Sequence, residues 1–138
     1  MTESLKLSSQ YCFPLYSAAN RVVRAYRPFL KTIDLTYPQY LAMMVLWEEE
    51  SILVGQLGKR LNLDSGTLTP LLKRLECKQL VSRHRGSEDE RERLIKLTSR
   101  GRALQPLAEE IPKQVAGCMK LNLDELEQLR QLCRKLLD

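Results

Sequence analysis

Apolar residues recur along this chain at helical spacing. The sharpest case lies in Asp64–Lys78, where Leu68, Leu71, Leu72 and Leu75 fall at i, i+3, i+4 and i+7. Asp64 or Ser65 can accept backbone N–H groups at the start of this helix. At about 100° per residue, the opposite side carries Gly66, Pro70, Lys73 and Cys77, with Thr69 and Arg74 flanking it. That outer face is small and hydroxylic in front and basic behind. Pro70 requires the helix to begin late, near Gly66.

The same reading orders the rest of the chain. Residues 1–10 are polar and expected to be loosely held. A first helix is predicted from about Tyr11 to Leu30, with Cys12, Leu15, Ala19, Val22, Tyr26 and Phe29 on one side and Pro14 in its first turn. Thr36 caps a second helix with Pro38 in the first turn, burying Tyr37, Tyr40, Leu41, Met44 and Trp47 and ending in a solvated Glu48-Glu49-Glu50. Ile52 to Val54 predicts a very short strand. Gly55 to Leu61 predicts a short helix with Leu57 and Leu61 inward, and Asn62 to Asp64 a turn into the basic helix. Leu80 to His84 and Arg91 to Leu97 predict two strands around a charged turn. Thr98 or Ser99 caps a long helix carrying Leu104, Leu107, Ile111, Val115 and Cys118, kinked at Pro106 and Pro112. Asn122 with Glu125 forms a capping box for a last helix striped by Leu126, Leu129, Cys133, Leu136 and Leu137, with Cys133 expected in the core.

Composition narrows the class. A chain of 138 residues predicts one domain whose core is modest, so that an extended helical protein buries more by dimerising. No apolar run approaches membrane-spanning length and no signal peptide opens the chain. Four cysteines without paired spacing then point to reduced thiols in a bacterial cytoplasm. His84 is the single histidine, so neither a metal site nor another cofactor is expected.

The charge is uneven. Lys59 to Arg100 holds eleven Lys or Arg against six Asp or Glu, which accounts for the whole net charge of +5. A polyanion is the expected partner of that segment, most simply double-stranded DNA. A short helix, a tight turn and a second helix with a basic outer face are the parts of a helix-turn-helix, and the charged hairpin after them is a wing. The reading residues expected on the second helix are Ser65, Thr67, Thr69, Lys73 and Arg74. Arg83, Arg85, Arg91 and Arg93 of the wing can meet phosphates or enter a minor groove, with Asp89 bracing Arg91. The fold expected is mainly α with a small β-wing, a winged helix-turn-helix. It forms a single domain over 1–138, with dimerisation helices at 11–35 and 98–138 and a DNA-binding lobe at 37–97. A two-fold homodimer matches a pseudo-palindromic operator.

Several motifs resemble a known family. The helix order and the wing segment Ser87-Glu-Asp-Glu-Arg-Glu-Arg look like the MarR family of dimeric winged-helix regulators. Leu35-Thr-Tyr-Pro-Gln-Tyr-Leu, Leu46-Trp-Glu and Leu63-Asp-Ser-Gly-Thr-Leu-Thr-Pro-Leu-Leu-Lys-Arg-Leu-Glu look like its organic-hydroperoxide-sensing branch, the OhrR-type repressors. Cys12-Phe13 followed by Leu15-Tyr16 looks like that branch's sensing cysteine region. The resemblance implies that an organic hydroperoxide oxidises Cys12, that Tyr26 and Tyr37 donate hydrogen bonds to its sulfur, and that the operator is then released. Cys12 and Tyr26 lie 14 residues apart, about 21 Å along one helix, so any meeting requires an antiparallel partner helix.

Cys12 sits near a helix start, where the dipole favours a thiolate. Taken without the resemblance, it reads rather as a small buried hydrophobe, the usual fate of a free cysteine. The resemblance places a resolving cysteine at Cys118, whose stripe position also fits plain packing. Cys133 or a low-molecular-weight thiol are the other resolving groups. Cys77 faces the DNA side. A MarR-type repressor relieved by a non-oxidative small ligand shares every DNA-binding feature. A thiol peroxidase fits less well, because the chain has no thioredoxin-like strand pattern, and no enzyme is expected.

Overall fold

The computed structural model describes residues 2–138. Two 3-10 turns, Glu3–Leu5 and Leu7–Ser9, lead into α1 (Cys12–Lys31). The chain continues through α2 (Tyr37–Glu49), β1 (Ser51–Leu53), α3 (Val54–Leu61), α4 (Ser65–Cys77), β2 (Val81–Arg85) and β3 (Arg93–Leu97). It ends with α5 (Ser99–Ala103), α6 (Gln105–Ala108), α7 (Ile111–Cys118) and α8 (Leu123–Leu137). The mainly helical winged architecture is as expected. Among the described residues no helix is long and apolar enough to cross a membrane.

α2 is the central helix. Its start is a full capping box: the Thr36 hydroxyl accepts from the Gln39 N–H, and the Gln39 amide oxygen accepts from the Thr36 N–H. Ala42, Met43 and Leu46 are fully buried, whereas Met44, expected inward, is 41% exposed. The stripe fails because α1, α3, α4 and the sheet all pack on α2, which therefore buries more than one side. The Glu48-Glu49-Glu50 end is not merely solvated: Glu48 and Glu49 pair with Arg60, and Glu50 pairs with Arg102.

Three helices close alike without glycine. Leu35, Leu63 and Leu80 donate back to Leu30, Gly58 and Leu75, and Asp34, Asn62 and Gln79 take left-handed φ of 53°, 56° and 63°. These are Schellman closures, whose hydrogen bonds outweigh the left-handed strain. α4 opens on Asp64, not late near Gly66. Pro70 is tolerated in its second turn, where it removes one main-chain bond from a helix anchored by buried Leu68, Leu71, Leu72 and Leu75. Each of those leucines contributes roughly 1.5–3 kcal/mol by leaving water.

The sheet runs β1-β3-β2, antiparallel throughout. Ile95 of β3 is fully buried opposite Ile52 of β1, so the three-residue strand supplies the wing's floor. At the neck of the wing the Gly86 N–H donates to Glu92, and any Cβ on Gly86 would stand 2.7 Å from the Asp89 carbonyl oxygen.

The long helix expected after Thr98 is three short ones. Pro106 and Pro112 do more than kink it. Each stands in the first turn of a new helix, where its missing N–H costs nothing. Ala108, Ile111 and Val115 are buried, while Leu107 is exposed. α8 begins at the expected Asn122–Glu125 capping box and buries none of its residues in the single chain. Cys133 is therefore half-exposed rather than core.

Candidate nucleic-acid interface and sensor site

α4 presents the two faces its spacing predicts. The Asp64 carboxylate accepts from the Thr67 N–H at 2.8 Å, and that bond holds its carboxyl below the usual range. Ser65, Thr67, Thr69, Lys73, Arg74 and Cys77 are all exposed on the outer side. The wing is partly self-paired. The Arg91 main-chain N–H donates to the Asp89 carboxylate at 2.9 Å and its guanidinium pairs there at 3.3 Å, as the bracing argument expects. Arg83 is drawn onto Glu76 of α4 at 3.3 Å. Arg85 is exposed, and Arg93 folds onto the carbonyls of Glu90 and Glu92.

A second row of cations escaped the sequence reading. α1 carries Arg21, Arg24, Arg27 and Lys31, all exposed, and no acid. The balanced charge of the flanking segments concealed it. Counting charge element by element reveals it.

The second feature is aromatic. Tyr26 of α1 and Tyr37 of α2 have ring centroids 4.6 Å apart, and Tyr40 lies 5.8 Å from Tyr26. Burial, then the neighbouring phenols of Tyr37 and Tyr40, push the Tyr26 phenol up to about 12. Burial also raises Tyr37 and Tyr40. All three are neutral O–H groups at physiological pH and thus donors. Cys12 is exposed at the far end of α1, so one chain joins the two tyrosines but not the cysteine. Cys118 is exposed and opens on a cavity of about 300 Å³ shared with Ala18, Val22 and Ala25, more than a turn beyond Cys12.

Residues 24–106 match the family model of the SarA/Rot transcriptional regulators. Over 136 residues the chain is 43% identical to the organic hydroperoxide resistance transcriptional regulator of Bacillus subtilis (strain 168), covering 99% of this chain and 92% of that one. The chain belongs to the MarR/SarA family of winged-helix transcriptional regulators. Reduced AbfR bound to DNA is a structural relative of this regulator, with a TM-score of 0.77 at 34% identity over 99% of this chain and 97% of that one. Disulfide-formed AbfR matches with a TM-score of 0.67 at the same identity, over 99% and 96%. These relatives are DNA-binding regulators, not enzymes, and the resemblance to the organic-hydroperoxide branch is borne out.

Proposed function

We propose that this regulator is a homodimeric repressor that binds a pseudo-palindromic operator through α4 and the wing and leaves it when an organic hydroperoxide oxidises Cys12. The observation that carries the proposal is the half-site geometry. Two neutral phenols in tilted contact, Tyr26 and Tyr37, stand on one part of the chain, and an exposed thiol stands about 21 Å away along α1. A second copy, antiparallel along α1, brings each Cys12 to the other chain's phenols. Uncovered apolar residues on α1 and α8, among them Phe13, Leu15, Leu132 and Leu136, support that pairing.

The Cys12 thiolate attacks the outer peroxide oxygen, the O–O bond breaks, and the alcohol leaves with a proton. The sulfur, now a sulfenic acid, condenses with a second thiol, releasing water and forming a disulfide. That thiol is Cys118, Cys133 or a low-molecular-weight thiol. The two phenol donors lose their anionic acceptor and the paired helices shift. Because two recognition helices must stay about 34 Å apart to enter successive major grooves, a small rotation releases the operator. The names of the relatives support this reading: one is a hydroperoxide resistance regulator and another has both a reduced DNA-bound and a disulfide form.

On the DNA, Ser65, Thr67, Thr69, Lys73 and Arg74 read the major groove, while Arg83, Arg85 and Arg91, the last braced by Asp89, contact the backbone. A cavity of about 730 Å³ beside Val23, Leu35 and Tyr37 favours a second reading, relief by a small ligand. Fluorescence anisotropy of a labelled operator, titrated with cumene hydroperoxide, separates the two. Wild type is released and Cys12→Ser stays bound. Equal release of both refutes the redox reading.

A further inference from the structure

We infer that Lys78 is a positioning residue that couples the tyrosine corner to the recognition helix, an inference resting on the reading that events beside Tyr37 govern release. Lys78 is the residue on which α4 ends, its N–H donating to the Arg74 and Glu76 carbonyls. Lys73 and Arg74 lie on the exposed outer face, but the Lys78 side chain is only 28% exposed and crosses to the α1–α2 corner. Its ammonium donates to the Asp34 carbonyl and, at 3.0 Å, to the Gln39 amide oxygen, with the Asp34 carboxylate 3.8 Å away.

Both acceptors are fixed in place. Asp34 holds the left-handed conformation that closes α1. Gln39 is 3% exposed, and the same amide oxygen takes the Thr36 N–H of the capping box at 3.1 Å. Tyr37 lies between these anchors as the first residue of α2, with its ring against Tyr26. One ammonium is therefore shared by the helix start that carries Tyr37 and by the end of the helix that reads DNA. Breaking these bonds would take the charged donor from a buried amide oxygen and leave it only the Thr36 N–H, so Lys78 follows the corner when the corner moves. The tie is long-range in sequence, spanning 39 residues from Gln39.

The test compares wild type, Lys78→Met and Lys78→Arg for operator affinity, reduced and after cumene hydroperoxide, over a range of salt. Lys78→Met should shrink the ratio of oxidised to reduced Kd by roughly two- to thirty-fold, with the salt slope unchanged, and Lys78→Arg should restore the ratio. An unchanged ratio overturns the inference, as does a salt slope that falls by about one, which marks a plain phosphate contact. If Lys78→Met fails to fold, Lys78→Gln carries the same comparison. If wild type itself is not released, the redox reading fails on its own. The coupling is then decided by a double-mutant cycle of Lys78→Met with Tyr37→Phe on reduced operator affinity. A coupling factor above about two supports it and additivity overturns it.

Discussion

Gly101→Ala is a stringent test of how the reading lobe is joined to the helices that follow it. Gly101 lies in the first turns of α5, buried against the loop between α4 and β2. A Cβ built there stands 2.3 Å from the Leu80 carbonyl oxygen and 2.8 Å from Leu97 Cδ1. Real Cβ contacts do not fall below 3.0 Å, so the Leu80 peptide must retreat by at least 0.7 Å. That peptide is pinned on both sides: its N–H donates to Leu75 at 3.1 Å and its carbonyl accepts from Thr98 at 3.1 Å. The Gly101 carbonyl is itself held by the Trp47 indole N–H at 2.9 Å. Overpacking of this kind costs about 1–3 kcal/mol, and a damaged Leu80–Thr98 bond about 1 more. Against this, alanine gains about 1 kcal/mol of helix propensity. The net loss is about 1–3 kcal/mol, a fall in Tm of roughly 3–10 °C for a chain of this size. Gly55→Ala is the control, since nothing lies within 4 Å of its added Cβ, and it should stabilise by up to about 1 kcal/mol. Both are measured by thermal and urea unfolding at fixed protein concentration. A Gly101→Ala protein as stable as wild type would refute the packing argument.

Two further outcomes follow from the site. Tyr26, whose phenol is raised to about 12, should stay neutral when ordinary tyrosines ionise near 10. Its folded pKa exceeds its unfolded one, so its stabilising contribution is full below pH 10 and is lost as pH rises from 10 to about 12. Spectrophotometric titration at 295 nm, wild type against Tyr26→Phe, checks this, and loss of the latest-titrating phenol is the expected difference. Arg91→Ala should weaken operator binding and lower the salt slope by about one, since its side chain is 92% exposed and braced by Asp89; an unchanged slope would leave Arg91 as a brace only.

Much of the helical fold was legible in the residues wherever local rules and tertiary packing agree. The leucine stripe of α4, the Thr36 cap and the Asn122–Glu125 box all specify their structure within a few residues. The misses have distinct physical causes. α2 is surrounded, so its periodicity does not report a single buried face. Pro106 and Pro112 read as kinks, but a proline in a first turn serves a new helix better than it bends an old one. Asp34, Asn62 and Gln79 end helices in the left-handed region that sequence reading assigns to glycine. The meeting of Tyr26 with Tyr37 was implied by the family resemblance and not by spacing. The Lys78 tie had no signal at all, because nothing local links it to Gln39.

On the proposed function, oxidation of Cys12 is the event that frees the operator. Oxidation and release can be followed on one clock. Operator-bound protein is mixed with cumene hydroperoxide and quenched at timed intervals. Peptide mass spectrometry then gives the oxidised fraction of Cys12, and anisotropy gives the released fraction. Release should never precede oxidation, and all released protein should carry oxidised Cys12. Released protein in which Cys12 remains a free thiol would contradict it.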